Sequence, residues 1–362
     1  MKVTEVQVTK KVIALPDPWT PAWHGPKEES VTSLEFSTYK IHTDEGITGI
    51  GPYTGIKDPS FVIGWDPFKV GDFWERYVSG QGKAYTASGL EIALWDIIGK
   101  AINSPIYKLL GACRSRIPVY AATSRIMSRE QHIDQVQELV AKGFKAVKIR
   151  LHRPNPRDDL AIVKAVRTAV GDELKILVDA NQNNIPLKYK PWSRKTALWM
   201  ARELERLGVY FLEEPLPRAD IDGLSRLAAS VEIAIAGGEH SPTIYDFRQH
   251  IISGAYDILQ PDVILNGHIG IIGITRLAAT AEYFSKKVIP HVVSNGNFPL
   301  AFAATLHSMA SAWNCPMVEY PYDPPFLTIE TLQTFVEKPF IIEKDGCIAL
   351  TDGPGLGCSV ID

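Results

Sequence analysis

KILVDAN (175–181), VYFLEEP (209–215) and IAIAGGE (233–239) are the stretches whose reading decides the fold. Each is a short apolar run that reaches an acidic residue, Asp179, Glu213 or Glu239, and each is followed by a helix-like segment. In a closed barrel of β/α units, that point of the repeat is the mouth, where active sites are built. Three carboxylates converging there repel one another unless a cation neutralises them. Hard oxygen donors favour Mg²⁺ over zinc or copper.

The same unit recurs on both sides. FKAVKIRL (144–151) precedes DDLAIVKAVRTAV (158–170), and KILVDAN precedes SRKTALWMARELERLG (193–208), with Ala197, Met200, Ala201, Leu204 and Leu207 at helical spacing. YDILQPD (256–262), KVIPHVVSN (287–295) and CPMVEYP (315–321) continue the series. Repeated strand–helix units predict an α/β architecture with a parallel sheet, and about eight of them predict a closed barrel over residues 116–325. An open, doubly wound sheet is disfavoured because no glycine-rich phosphate loop follows the first strand.

The flanking regions read differently. Residues 1–115 combine strand-like KVTEVQVTKKVIAL and SLEFSTYKIHTDEGITGIG with helical ASGLEIALWDIIGKAI, which predicts an α+β domain. Asp44-Glu45-Gly46 marks a hairpin, and PDPWTPAWHGPKEES (16–30) reads as a long loop, a length that in compact domains is either functional or disordered. Residues 326–362 read as a hairpin and a Gly/Pro-rich turn that returns to the first domain.

Composition narrows the function. The chain has 362 residues, 45% hydrophobic and 22% charged, with a net charge of −3. There is no basic stripe for nucleic acid and no run long enough to span a membrane. The N-terminal stretch alternates and lacks a signal-peptide core, so a cytoplasmic location is expected. Cys113, Cys315, Cys347 and Cys358 lack metal-ligand spacing and are expected as reduced thiols.

Strand periodicity places Lys148 and Arg150 on one face, where two inward cations need anionic partners. Glu213 and Glu214 take opposite faces, so one of them serves as a mouth ligand. Asp262 and His291 end the next two strands; a carboxylate on one imidazole nitrogen fixes the tautomer and makes the other a general base. Glu319 at the last strand end suits an oxyanion if its site keeps it protonated.

Taken together, GLEIALWDIIGKAINSPIYKLLG (89–111), KAVKIR, VDANQ, FLEEP, GGE, QPD, IPHVV and DGPGLG resemble the enolase superfamily, specifically its mandelate racemase subgroup, over essentially the whole chain. The resemblance implies an α+β cap on a (β/α)7β modified TIM barrel. It implies Asp179, Glu213 and Glu239 as Mg²⁺ ligands, His291 and Asp262 as the dyad that removes a proton α to a carboxylate, and Glu319 and Lys148 as contacts of that carboxylate. It makes the loop around Pro16–Ser30, with His24, a lid over the substrate. His152, Asn181, Asn183 and His240 become candidates for sugar hydroxyls. A homo-oligomer, from dimer to octamer, is expected.

One position departs from the pattern. Arg150 stands where many members carry a second lysine, and arginine does not release its proton near neutral pH. A racemase of this type needs a base on each face of the α-carbon. The expectation is therefore dehydration of an acid sugar to a 2-keto-3-deoxy acid, with a racemase, epimerase or cycloisomerase as the alternative and a non-catalytic sugar-acid binder as a third reading.

Overall fold

A computed structural model describes residues 1–25, 28–80, 86–183, 191–267 and 269–361. The chain opens with an antiparallel sheet in the order β1 (Val3–Trp19), β2 (Val31–Thr43), β3 (Thr48–Pro52), the last two joined through Asp44-Glu45-Gly46. Gly46 sits at φ 77°, a conformation glycine adopts without steric cost. Helices α1 (Val70–Tyr77), α2 (Ser88–Ala101) and α3 (Ile106–Leu109) follow. The apolar run of α2 is buried almost all round, as expected of a helix held between two layers. Its approach to β3 requires glycine: a Cβ on Gly51 would lie 2.1 Å from the Gly89 carbonyl oxygen.

The repeats then appear in sequence: β4 (Arg116–Ala122), α4 (Arg129–Ala141), β5 (Ala146–Arg150), α5 (Pro156–Val170), β6 (Lys175–Asp179), α6 (Arg194–Arg206), β7 (Phe211–Glu213), α7 (Ile221–Ala228), β8 (Ala234–Gly237), α8 (Phe247–Ser253), β9 (Ile258–Leu259), α9 (Gly270–Tyr283), β10 (Lys287–Val288), α10 (Phe298–Met309) and β11 (Val318–Pro321). All pairings along this path are parallel, in the order β10-β9-β8-β7-β6-β5-β4-β11, so the sheet curls around a lumen. Tyr120, Leu177, Phe211, Ala236, Ile258, Ile289 and Met317 fill that lumen, and the larger of them each contribute about 1.5–3 kcal/mol by burial. After α11 (Ile329–Leu332), β12 (Cys347–Ala349) pairs antiparallel with β4, and the Leu356 N–H reaches Asp96 of α2 at 2.8 Å.

Two local expectations change. β1 runs through Pro16 and Pro18 to Trp19, so the connection to β2 is shorter than the sequence suggested. The register shift between Ala14 and Trp19 interrupts the ladder there, so neither proline is asked for an N–H. Of the remaining loop, Pro26 and Lys27 lie outside the described residues. In addition, β9 and β10 stop short of Asp262 and His291, which are joined past the strands by a single parallel bridge.

Candidate active site

The carboxylates of Asp179, Glu213 and Glu239 converge at the ends of β6, β7 and β8, with one oxygen from each within 4.8 Å of the others. Parallel register is the cause: Asp179 stands beside Glu213, and Glu213 beside Ala236, so successive strand ends deliver their side chains to one level. All three are buried, and Glu213 Oε1 and Glu239 Oε2 have no hydrogen-bond partner among the described residues. A buried carboxylate oxygen without a donor costs several kcal/mol unless something occupies it. Three hard carboxylate donors, two of them with an unpartnered oxygen, fit a Mg²⁺ ion that keeps its remaining positions for water or ligand.

Cations already line one side of the cluster. Lys148, fully buried on β5, places Nζ 2.9 Å from Glu213, 3.0 Å from Glu319 and 3.9 Å from Asp179. Burial opposes its charge, but Glu213 and Glu319 outweigh that and raise its pKa. Arg150, two residues on and on the same face, donates Nε to the Thr123 carbonyl at 2.9 Å and Nη1 to Asp179 and to Asn181. Burial lifts the Glu213 carboxyl to about 8, with Asp179 adding to the lift. For Glu239 burial pulls the same way, but the facing His291 and His240 hold it well below the usual range. The two shifts differ in sign because burial and the anions Asp179, Glu239 and Glu319 outweigh Lys148 at Glu213, whereas two imidazoles face Glu239.

Across the cluster, His291 Nδ1 lies 2.7 Å from Asp262 Oδ2, and its Nε2 lies 3.4 Å from Glu239. Asp262 is itself fixed by the N–H groups of Ile264 and Leu265, which fill its other oxygen. Nε2 is thus the imidazole nitrogen presented to the cavity. Burial would lower this imidazole, but Glu239, Glu319 and Asp262 together push it to about 10. Among the described residues, Glu319 Oε2 has no hydrogen-bond partner. Although burial raises its carboxyl, Lys148, His291 and Arg150 hold it below the ordinary range, so in this state it is ionised rather than the protonated donor the sequence suggested.

Above the cluster is a cavity of about 500 Å³ lined by Arg150, Asn181, Glu239, His240, His291 and Glu319 from the barrel and by Trp19, Trp23 and His24 from the cap. Its walls therefore come from both domains. His240 reaches Glu239 at 3.0 Å. His152 lies behind Asn181, 2.6 Å from its Oδ1, and does not line the cavity. Asn183 instead accepts the Arg218 N–H at 3.1 Å. Asn181 and Glu214 both take left-handed φ, 41° and 44°, where the chain turns off adjacent strands. Glu214 is buried with both oxygens unpartnered among the described residues, although its face opposes that of Glu213, and burial followed by Glu239 raises its pKa strongly.

Trp19, Trp23, Thr123 and Ser124 were not singled out by spacing. The aromatic richness of residues 16–30 is the only signal for the two tryptophans, nothing marks Thr123 and Ser124, and nothing local pairs these segments, which lie more than a hundred residues apart.

Comparison with known proteins agrees with this geometry. Residues 4–111 match the family described as mandelate racemase / muconate lactonizing enzyme, N-terminal domain, and residues 131–362 match the enolase C-terminal domain-like family. The chain is 33% identical over 279 residues to arabinonate dehydratase of Saccharolobus solfataricus, covering 76% of this chain and 69% of that protein. It is 30% identical to D-galactarolactone cycloisomerase of Agrobacterium fabrum, covering 89% and 88% respectively. The structure of L-talarate/galactarate dehydratase of Salmonella typhimurium, liganded with Mg and L-lyxarohydroxamate, superposes with a TM-score of 0.82 at 26% identity, covering 99% of this chain and 90% of that one.

Proposed function

The chain belongs to the enolase superfamily, in its mandelate racemase group, and from that premise we propose that it is a Mg²⁺-dependent dehydratase of an acid sugar, an aldonate or aldarate, yielding a 2-keto-3-deoxy acid. The observation that carries this reading is the asymmetry of the cavity. One face has an imidazole on a carboxylate, His291–Asp262, while the other has Arg150, tied to Asp179, Asn181 and the Thr123 carbonyl. A guanidinium so anchored is a donor and not a base. One base suffices for elimination, whereas racemisation by this scheme needs two.

The roles follow from position. The substrate carboxylate sits against Lys148 and against Glu319, which takes up a proton as the anion arrives and donates it as a hydrogen bond, with the α-proton directed at His291 Nε2. Asp262 holds the imidazole with Nδ1 protonated, so Nε2 takes the proton. When bound at Asp179, Glu213 and Glu239, Mg²⁺ would supply the positive charge that stabilises the enediolate and offsets the carboxylate field on His291. Charge stabilisation of this kind is usually the largest catalytic term. The imidazolium then returns its proton to the departing β-hydroxyl, which leaves as water while the enol relaxes to the ketone. Arg150 Nη2, which makes no hydrogen bond among the described residues, faces a substrate hydroxyl. Trp19 and Trp23 line the cap side of the cavity and shield that side from water, which favours elimination over side reactions.

The test is a panel of aldonates and aldaric acids incubated with protein and Mg²⁺, with 2-keto product measured. At least one acid should be converted, and conversion should stop on chelation. A panel left untouched while a sugar lactone is opened would favour the cycloisomerase reading, which also needs only one base. Incubation in D₂O separates the remaining alternative: α-deuterium in recovered substrate or its epimer, without elimination, would replace dehydration with epimerisation. The expected homo-oligomer remains a proposal, checked by light scattering. No helix among the described residues is long and apolar enough to cross a membrane.

A further inference from the structure

Asp323, just past β11, is fully buried and saturated with donors. It accepts the Ser124 N–H at 2.9 Å, Gln135 Nε2 at 2.7 Å and Arg125 Nη2 at 2.7 Å, together with the Ser124 hydroxyl. An ionised carboxylate only accepts, so the hydroxyl proton of Ser124 is committed to it. The lone pairs of Ser124 Oγ therefore face away from Asp323, and the indole Nε1 of Trp19 donates to that oxygen at 3.0 Å. Indole N–H is donor-only, so the polarity of this chain has one solution: Trp19 to Ser124 to Asp323. A second bond runs in parallel, from the Ala22 N–H to the Ser124 carbonyl at 2.7 Å.

The consequence reaches the reacting centre. Trp19 packs edge-on against Trp23, with ring centroids 5.9 Å apart, and the Trp23 ring lies 4.9 Å from the guanidinium carbon of Arg150. Arg150 is thus held on one side by Asp179 and Asn181 and on the other by an aromatic face whose location depends on Trp19. Stacking of a guanidinium on an aromatic ring is attractive and directional.

We propose that Ser124, polarised by Asp323, is a positioning residue for the substrate cavity. It seats Trp19, Trp19 seats Trp23, and Trp23 fixes the plane in which Arg150 offers Nη2 to the substrate. Ser124 touches none of the reacting atoms and acts through the two tryptophans. The catalytic consequence rests on the proposed acid-sugar reaction; the structural one does not.

Two readouts separate these. In protein labelled with 5-fluorotryptophan, Trp19→Phe and Trp23→Phe assign the two ¹⁹F resonances. Ser124→Ala should then shift both, because releasing Trp19 moves Trp23 with it. With the substrate found by the panel, Ser124→Ala and Trp19→Phe should each raise KM about fivefold, the order expected for one hydrogen bond. Each should leave kcat within about twofold, as expected for loss of binding shared by ground and transition states. The double variant should be no worse than either single one, since both remove the same bond. Trp19→Phe keeps the ring and guards against a folding defect peculiar to the serine change. A Trp23 resonance unmoved by Ser124→Ala, or a double variant whose KM rises by the product of the single effects, overturns the assignment. If no acid sugar is turned over, the dehydratase reading fails while the fluorine spectra still decide the role of Ser124.

Discussion

Two groups of buried carboxylates divide the labour in this molecule. At the barrel mouth, Glu213, Glu239 and Glu319 each keep an oxygen with no donor among the described residues. At the seam between cap and barrel, Glu91 and Asp96 of α2 are equally buried but saturated. Glu91 accepts the N–H groups of Ile271 and Ile272 at 2.9 and 3.1 Å and the Trp95 indole at 2.9 Å, so it caps the first turn of α9 from another domain. Asp96 accepts from Ile50 and Leu356 backbone and from Lys100. Burial alone therefore does not mark function. Glu91 and Asp96 join elements through their donors, whereas Glu213, Glu239 and Glu319 keep acceptor capacity for a ligand, because an unfilled buried acceptor is unfavourable until something binds.

Variants at the two places should accordingly fail in opposite ways. The largest effect belongs to His291→Asn, which should cut kcat by roughly 10²–10⁴-fold, the range for a general base, with Mg²⁺ binding by calorimetry retained. Next, Glu213→Gln should weaken Mg²⁺ at least about 100-fold while leaving metal-free melting unchanged or slightly higher, since burial and the neighbouring Asp179 already disfavour its charge. At the seam, Glu91→Ala should leave two N–H groups of α9 unpaired and cost about 2–4 kcal/mol, read as a lowered melting temperature with kcat intact below the transition. A seam variant that lost Mg²⁺ affinity without losing stability would break the comparison.

The seam also has a pH limit. His307 on α10 accepts the Tyr107 N–H at Nδ1 (3.1 Å) and donates Nε2–H to the Leu356 carbonyl (3.0 Å), an arrangement only the neutral ring satisfies. Burial lowers its pKa from the usual 6.5 to about 4. The folded state thus binds its proton later than the unfolded chain. The stabilisation is complete above pH 6.5 and is lost as pH falls from there toward 4, by roughly 3 kcal/mol in all. His307→Gln, which retains an acceptor and a donor, should flatten the acid limb of a melting-temperature profile. The smallest effect is reserved for Arg194→Ala. It breaks exposed pairs with Asp220 and Asp222 and should leave both melting temperature and turnover unchanged.

The repeat of apolar strand, acidic residue and amphipathic helix made the barrel and its three mouth carboxylates legible, because strand alternation and parallel register act over a few residues. The same alternation put Lys148 and Arg150 on one inward face, where they are found. It did not show that β9 and β10 end before Asp262 and His291, since short apolar runs do not reveal where pairing stops. Nor did it separate Glu91 from Glu239: both are acids beside apolar residues, and only the donors brought from α9 distinguish them.

By itself, then, the sequence determined the fold class and the three mouth carboxylates, which rest on local periodicity and residue chemistry, and it put Arg150 where the family resemblance implies a second lysine. Tertiary structure alone decided which carboxylates are filled and that His152 stands behind Asn181. It also decided that Trp19 and Trp23 of the cap complete a cavity begun by the barrel. The reason is physical. Hydrogen-bond saturation and cavity walls depend on groups far apart in the chain, such as Trp19, Ser124 and Asp323, and no local pattern records which of them will meet.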